Sequence, residues 1–364
     1  VKGEQANAIG DGNDAYGHFT QSVGDDNKVY ADHSLGYGAH NKVGAQRAKG
    51  TPEKDVVVDK NTSKASVFGL NNVVLGKEVL ALGNNNNVNG ENSTAIGTQS
   101  TADGINTLAI GTGAKAHVTN PAAANSNKPG NLVAIGTSAE ATAAETVAIG
   151  QAAKASGQNS NAYGSQANAS GTSSLAVGTG SVASGDSAVA IGNDSTVTGG
   201  SAVAIGASAT STGKWSTALG DSANAKGEKS VALSKDSYAK DDNSVALGSG
   251  TITRSATNVT TATVNGITYS GFAGNSNNIA VVSVGSDKTE TYTPPDHSTP
   301  GRTVTITPHT RQIINVSAGE ISATSTDAIN GSQLYMVADQ VGKNKTRIDN
   351  IRMRTSDVKV KAGD

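Results

Sequence analysis

The chain has 364 residues, of which 35% are apolar and 3% aromatic, and its formal net charge is −2. This composition argues against a large conventional core, and the interspersed charges leave no basic field for a nucleic acid backbone. The lack of cysteine excludes thiol catalysis, zinc–thiolate sites and disulfides. With 44 glycines, the chain is either disordered or a repeat of small buried side chains, and periodicity has to decide.

The N-terminal residues Val-Lys-Gly-Glu-Gln do not form a signal peptide, and no apolar run is long enough to span a bilayer. We therefore expect the chain to be a mature or excised piece of a longer protein. Targeting or anchoring segments would then lie outside it.

A short apolar segment that ends in glycine recurs at a spacing of 14 residues. The glycines of this series are Gly10, Gly24, Gly38, Gly69, Gly83, Gly97, Gly111, Gly136, Gly150, Gly164, Gly178, Gly192, Gly206, Gly220 and Gly248, and Ser234 takes one place. Fourteen residues suit one solenoid coil of two short strands and two tight turns. All seven prolines lie outside the regular coils, because proline cannot donate to a strand ladder. The spacing predicts a β-solenoid with insertions at about 39–68 and 112–135.

The strand before each glycine carries no charge from Gly83 to Gly248, as in Thr-Val-Ala-Ile (146–149). Alanine always stands two residues before the glycine, and the flanking positions are mostly large. Because strand side chains alternate between faces, one face is bulky and the other small, and we expect both to be buried. The constant alanine indicates close approach of another backbone, for which a second copy of the chain is favoured. The alternative is that alanine only keeps the coil thin.

The strand after each glycine alternates small with polar residues, as in Ala-Lys-Ala-Ser (153–156), so one of its faces is wet. The six histidines are scattered and lack the close partners that a metal or catalytic site requires. We therefore predict no catalytic residue, no cofactor and no metal site. Trp215 is interpreted either as an exposed aromatic that contacts a ligand or as part of a packed interface.

Beyond Gly248 the period fades. The chain passes through Val-Ser-Val-Gly-Ser (282–286), a stretch rich in Pro and Thr at 287–310, and two further segments at 311–319 and 326–334. A heptad-like seam at alternating spacings of three and four follows: Leu334, Val337, Val341, Asn344, Ile348 and Ile351. From spacing alone, an ordinary amphipathic helix is an equally good interpretation.

These features resemble the YadA-like trimeric autotransporter adhesins. Coils such as Asn-Ser-Val-Ala-Leu-Gly-Ser (243–249) are similar to that family's head repeats, and residues 282–286, 311–319 and 326–334 resemble its neck. The resemblance implies an all-β fold: a left-handed parallel β-roll that forms an intertwined homotrimer, followed by a neck and a short α-helical coiled coil. It also implies display on the bacterial surface, with anchoring to the outer membrane only through a C-terminal β-barrel that this chain lacks.

On this basis the chain divides into five segments. They are a head at 1–253, a connecting region at 254–286, an insertion loop at 287–310, a neck at 311–334 and the start of a stalk at 335–364. The expected trimer core comprises Ala148, Ile149, Ala190, Ile191, Ala204, Ile205, Leu334, Val341 and Ile348.

Members of the family often place asparagine at a heptad core position, where three side chains hold an anion on the axis. Asn344 matches this position, so a chloride ion there is one hypothesis, although Lys345 stands where a small hydroxylated residue is usual. The alternative is that Asn344 only specifies the helix register.

The sequence leaves three functions to compare. The favoured one is non-enzymatic adhesion through many repeated contacts to host extracellular matrix proteins, cell-surface receptors or other surfaces. A tailspike-like, carbohydrate-active solenoid needs paired acidic residues in a groove, which the strands lack. An ice-binding solenoid needs a flat ladder of threonines, whereas the exposed positions here vary in chemistry.

Overall fold

The computed structural model describes residues 1–44, 60–118, 130–294 and 301–361, with side chains up to Arg354. The predicted insertions at about 39–68 and 112–135 therefore lie partly outside the described residues. The chain forms two compact units. The first comprises Val1–Arg254 with Val281–His309, and the second comprises Ser255–Ala280 with Thr310–Asp364. The five finer boundaries expected from the sequence stay predictions.

The first unit is a parallel β-solenoid, as the 14-residue spacing predicts. In each coil, one strand joins a first sheet and the next strand joins a second sheet. The described strands of the first sheet are β1 (Asn7–Asp11), β3 (Gln21–Asp25), β5 (Leu35–Ala39), β7 (Ser66–Leu70), β9 (Leu80–Asn84), β11 (Thr94–Thr98), β13 (Thr107–Ile110), β15 (Leu132–Ile135), β17 (Val147–Ile149), β19 (Asn161–Tyr163), β21 (Leu175–Val177), β23 (Val189–Ile191), β25 (Val203–Ile205), β27 (Thr217–Leu219), β29 (Val231–Leu233), β31 (Val245–Leu247) and β34 (Val282–Ser283).

The second sheet contains the shorter strands that follow each turn. They are β2 (Asp14–Ala15), β4 (Lys28–Val29), β6 (Lys42–Val43), β8 (Val73–Leu75), β10 (Asn87–Asn89), β12 (Thr101–Asp103), β14 (Lys115–His117), β16 (Glu140–Ala141), β18 (Lys154–Ala155), β20 (Asn168–Ala169), β22 (Val182–Ala183), β24 (Thr196–Val197), β26 (Thr210–Ser211), β28 (Asn224–Ala225) and β30 (Tyr238–Ala239). Equivalent residues of successive coils pair in register, as Ala148 pairs with Ala162.

The glycine that ends each first-sheet strand, here called the turn glycine, is required by geometry. Gly150 has φ +136°, and a Cβ placed on it would lie 2.3 Å from the carbonyl oxygen of Gly164 in the next coil. No side chain fits at that distance, and the φ value is one that L-residues rarely adopt. The 14-residue spacing of glycines therefore reflects a close backbone contact between successive coils.

The alanine two residues before the turn glycine lies inside the coil. Ala148 on β17 and Ala155 on β18 are fully buried and belong to one core that runs along the solenoid between the two sheets. The interpretation that this alanine marks a surface covered by a second copy was therefore wrong. The small side chain instead fills the narrow space between the sheets, so alanine does keep the coil thin.

A buried asparagine ladder reinforces the N-terminal coils. Three residues after the turn glycine stand Asn13, Asn27, Asn41, Asn72 and Asn86. In the first four of these residues, the side-chain amide donates to the carbonyl of the turn glycine in the next coil, as Asn41 Nδ2 does to Gly69 O at 2.8 Å. From Ser100 onward the same position is Ala, Ser or Thr, and from β13 onward the first-sheet strands shorten to two to four residues.

The stretch at 287–310, expected to be an insertion loop, contributes a two-stranded antiparallel hairpin of β35 (Glu290–Tyr292) and β36 (Val304–Ile306). We call it the docked hairpin, because its Tyr292, Val304 and Ile306 pack with Tyr238 and Ile252 of the solenoid. The Tyr292 hydroxyl donates to the carbonyl oxygen of Ser222, and Glu290 pairs with Lys240 at 2.7 Å.

The second unit contains the exposed hairpin β32 (Thr261–Val264) and β33 (Ile267–Ser270) and the helix α1 (Gly331–Lys361). Asn330 and Gln333 start the helix as a reciprocal cap: Gln333 N–H donates to Asn330 Oδ1 at 3.3 Å, and Asn330 N–H donates to Gln333 Oε1 at 3.1 Å. Among the side chains described for this unit, none is buried. A single copy therefore provides it with no core.

Candidate functional site

The most distinctive surface of the solenoid is a row of large side chains on the outer face of the first sheet. We call it the apolar ladder. It consists of the residue before each turn position: Ile9, Val23, Tyr37, Phe68, Leu82, Ile96, Ile110, Ile135, Ile149, Tyr163, Val177, Ile191, Ile205, Leu219, Leu233 and Leu247. The in-register strand pairing brings each rung against the next one, as Ile191 against Ile205.

This position faces outward because it is adjacent in sequence to the inward alanine, and strand side chains alternate. Eight of the sixteen rungs are 36–62% exposed, and the others are partly exposed. Monomeric soluble proteins rarely leave so long a contiguous apolar strip open to water. The ladder thus has the chemistry of a surface that another apolar surface covers.

A second row, three residues before each turn glycine, widens the strip. It includes Leu80, Leu108, Val133, Val189 and Val245, all of them partly exposed. Near the N-terminal end, the rings of Tyr37 and Phe68 stack with their centroids 5.5 Å apart, so neighbouring rungs contact each other within one chain. No charged residue interrupts either row between Leu80 and Leu247.

The structure separates the residues predicted to form a trimer core. Ala148, Ala190 and Ala204 are fully buried inside the coil, whereas Ile149, Ile191 and Ile205 are rungs of the apolar ladder. The outward rungs are the ones that a partner could reach. The sequence signal was the alternation of large residues with alanine, but the pattern alone did not say which face was inside.

The helix α1 carries the remaining predicted residues. Leu334, Val341 and Ile348 are all more than half exposed and recur at heptad spacing. Asn344, the expected anion ligand, accepts a hydrogen bond from Gln340 Nε2 at 2.9 Å through its Oδ1. Whether three copies of Asn344 meet on an axis stays a prediction.

Ionisable groups contribute little to this surface. Within the described ranges, no three His, Cys, Asp or Glu side chains are arranged to hold a metal ion. The lysine–acid pairs of the coils lie on the second sheet and the turns, as with Glu140 between Lys115 at 3.3 Å and Lys154 at 3.7 Å. Others lie on the docked hairpin and on α1. Lys28 at 2.7 Å lowers the pKa of Asp26, and this pair also lies away from the ladder. In the described part of the chain, no helix has the length and apolarity to traverse a bilayer.

A parallel solenoid with an exposed apolar strip, followed along the chain by a helix with an exposed heptad seam, defines a repetitive solenoid protein with a helical segment. The family model "YadA head domain repeat (2 copies)" matches the chain ten times between residues 76 and 251. The model "Coiled stalk of trimeric autotransporter adhesin" matches residues 312–355. The two models together span more than half of the chain. The chain therefore belongs to the YadA-like trimeric autotransporter adhesins.

The chain is also similar to individual proteins. The chain is similar to autotransporter adhesin BtaE of Brucella suis biovar 1 (strain 1330), with 39% identity over 107 residues, which is 26% of this chain and 12% of the relative. It thus spans about an eighth of that relative's length. Among solved structures, the C-terminal YadA-like domain of BPSL2063 from Burkholderia pseudomallei is 36% identical, with 39% of this chain and 54% of that chain covered and a TM-score of 0.27.

Proposed function

We propose that this chain is the head, neck and first part of the stalk of a homotrimeric adhesin on the bacterial outer surface. Its role is attachment of the cell to host extracellular matrix proteins, cell-surface receptors or other surfaces, without catalysis. The apolar ladder is the single observation that carries the proposal, because a strip of this length and composition needs a cover.

A second copy of the same chain is the cover that fits best. The ladder repeats once per coil, so an identical ladder offers the same spacing and the same chemistry along its whole length. The head-repeat matches extend along this region, and the family that they define is trimeric. The trimer core proposed here therefore comprises Ile149, Ile191, Ile205 and the other rungs, with the buried alanines behind them.

The second unit supports the same assembly. Its described side chains form no core of their own, and apolar residues such as Ile267 and Ile313 are more than half exposed. Three copies would cover these side chains and the heptad seam of α1 together. A chloride ion between three Asn344 side chains is part of this proposal. Diffraction from bromide-soaked trimer crystals should then show an anomalous peak on the axis, and an empty axis would restrict Asn344 to specifying register.

Adhesion would follow from repetition. A trimer presents three copies of every exposed site, so individually weak contacts add up when the target is fibrous or clustered. The carbohydrate-active alternative is not favoured, because family membership points to adhesion. The acidic residues of the described first-sheet strands are Asp11 and Asp25, which lie exposed at the ends of β1 and β3, and the strands from β5 onward carry none.

The decisive experiment is to place a charge on the ladder. Ile149→Asp would bury three carboxylates at one level of the trimer, at a cost on the order of several kcal/mol. Asn168→Asp, on the outer face of the second sheet one coil further on, is the matched control with the same charge change. Light scattering should report a trimer for the parent and the control, and dissociation for Ile149→Asp.

Binding to immobilised collagen, fibronectin and laminin should fall with dissociation, since avidity is lost. If a dissociated yet folded Ile149→Asp variant bound these proteins as strongly as the trimer, multivalent adhesion would be wrong.

A further inference from the structure

Trp215 is the only tryptophan of the chain, and it lies in an unusual place. It occupies the second turn of its coil, on the edge of the solenoid, with 47% of its side chain exposed. Lys214 Nζ lies 4.0 Å from the centre of its ring and Lys229 Nζ lies 5.2 Å from it. Two ammonium groups thus lie close to one exposed indole ring.

The turn holds this group in a defined position. Trp215 N–H donates to Gly200 O at 3.0 Å, and Lys229 N–H donates to Lys214 O at 2.9 Å, so the backbone ladder fixes the two lysines in adjacent coils. The next residue, the buried Ser216, bonds through its hydroxyl to Gly213 O and to the Ser211 hydroxyl, both at 2.6 Å. The site therefore lies on rigid coils rather than on a mobile loop.

Tryptophan is costly at this position. Trp215 has φ +58°, in the left-handed region that bulky residues avoid, at a cost of about 1–2 kcal/mol. Equivalent positions of the nearby coils carry Ser187, Ser201 and Asn243, which are small or tolerate this conformation, and the flexible Lys229. Another aromatic residue, Phe19, has this conformation in an N-terminal coil. Because about half of the Trp215 side chain faces water, packing accounts for only part of the indole.

The local charge is positive although the whole chain is slightly negative. Lys214, Lys226 and Lys229 are all exposed on this edge, against two acidic residues. Glu228 pairs with Lys229 at 3.0 Å, and Asp242 accepts from the Glu228 backbone N–H at 2.8 Å. The Lys214 and Lys229 ammonium groups lie at most about 9 Å from each other, because they are 4.0 and 5.2 Å from the centre of the same ring. Like charges held this close repel each other, and an anionic group between them would relieve that repulsion.

We propose that Trp215, Lys214 and Lys229 form a binding site for an anionic polysaccharide, in which sulfate or carboxylate groups pair with the lysines. The flat indole packs against the C–H face of a pyranose ring, and its edge stays wet, as suits an amphipathic aromatic. Each charge-assisted contact adds to affinity, and the trimer presents the site three times.

A nucleic acid fits this edge less well. Single-strand binding uses several aromatic side chains on which successive bases stack, along a continuous basic groove. Here the next residue along the edge is Lys229 on one side and Ser201 on the other, and Asp242 follows within a further coil. One ring with two flanking cations matches a single charged sugar unit better than a run of bases.

The inference rests on the proposed adhesive role, to which it adds a ligand class, and it is directly testable because the single tryptophan reports on its own site. Titration of the purified trimer with a heparin-derived hexasaccharide at low salt should change tryptophan fluorescence saturably. Lys214→Gln/Lys229→Gln should weaken this binding at least about tenfold. Lys64→Gln/Lys77→Gln removes the same charge from equivalent positions on the same edge, away from Trp215, and should bind as the parent does.

Trp215→Asn provides an independent measurement, because asparagine tolerates the left-handed conformation. This variant should melt no lower than the parent yet lose retention on immobilised heparin. The proposal is overturned if the two double variants bind alike, if a neutral chito-oligosaccharide binds as well as the sulfated one, or if a single-stranded oligonucleotide of equal charge binds more tightly. A trimer that adheres to matrix proteins but fails these tests would retain the adhesive role and lose only this site.

Discussion

Removal of one amide from the asparagine ladder should destabilise the solenoid far more than its size suggests. Asn41 is fully buried, and its Nδ2 donates to Asn27 Oδ1 and Gly69 O, each at 2.8 Å, and to Tyr37 O at 3.1 Å. Its Oδ1 accepts from the backbone N–H and the side-chain amide of Asn72 at 3.1 and 2.9 Å. Asn41→Ala cuts all of these bonds at once.

The magnitude follows from the partners left behind. The Asn72 N–H and the Gly69 carbonyl would face a cavity without a partner, and each unsatisfied buried polar group costs about 1–3 kcal/mol. With the lost packing, we expect Asn41→Ala to reduce the free energy of unfolding by about 4 kcal/mol. Ser181 occupies the same place in a later coil, but its hydroxyl bonds only to Gly178 O, at 2.9 Å. Ser181→Ala should therefore cost only about 1 kcal/mol.

Guanidinium unfolding followed by circular dichroism measures both variants, and hydrogen exchange localises the effect. Amides of the coils around Asn27, Asn41 and Asn72 should lose protection in Asn41→Ala, while those of the later coils keep it. Equal midpoint shifts in Asn41→Ala and Ser181→Ala would refute the role given to the ladder. Such a result would mean that the coil adopts the turn seen at the alanine positions at little cost.

Two further predictions concern the turns and the docked hairpin. Gly150→Ala should destabilise the head by several kcal/mol, because its Cβ would collide with the next coil. Gly266 also has positive φ, but a Cβ there would have nothing within 4 Å, so Gly266→Ala should cost only about 1 kcal/mol. Equal losses of stability on thermal melting would contradict the contact between coils. Burial raises the pKa of the Tyr292 hydroxyl above its ordinary value of about 10. Above that pH the hydroxyl ionises more readily in the undocked hairpin than in the docked one. Docking should therefore be fully stable below about pH 10 and weaken as the pH rises above it. Tyrosinate absorbance should show one late ionisation that Tyr292→Phe removes; an unchanged titration in this variant would contradict the docking.

The solenoid was predictable because its main constraint acts on single residues at fixed spacing. Gly150 and its equivalents other than Ser234 are glycine, since a Cβ there would collide with the next coil. This requirement recurs once per coil, so it is visible in the sequence at a spacing of 14 residues. Proline segregation marked the insertions for the same local reason. The family resemblance added the neck and stalk, which the spacing of Leu334, Val341 and Ile348 supports only weakly by itself.

The orientation of the first-sheet strands was not predictable from the pattern. Alternation in Thr-Val-Ala-Ile (146–149) shows that two faces exist, but the inward face depends on the distance between the sheets. In a thin coil alanine fills the interior, and the larger Ile149 points outward. The proposed interface between copies therefore keeps the large residues of the predicted core, such as Ile149, and loses the alanines beside them.

Long-range contacts were missed for a different reason. Tyr292 reaches Ser222 across seventy residues, and neither position has a periodic signature. The asparagine ladder did leave a signal, because asparagine recurs three residues after the turn glycine at 13, 27, 41, 72 and 86. The lysines beside Trp215 are adjacent only once the coils are stacked in register.

We propose that identical copies of the chain cover the apolar ladder. Sedimentation equilibrium of the purified protein over a range of concentrations shows whether they do. The parent and Asn168→Asp should sediment with three chain masses that persist on dilution, and Ile149→Asp should dissociate. A folded parent that sediments as one chain, with Ile149 and Ile205 open to water, would contradict it.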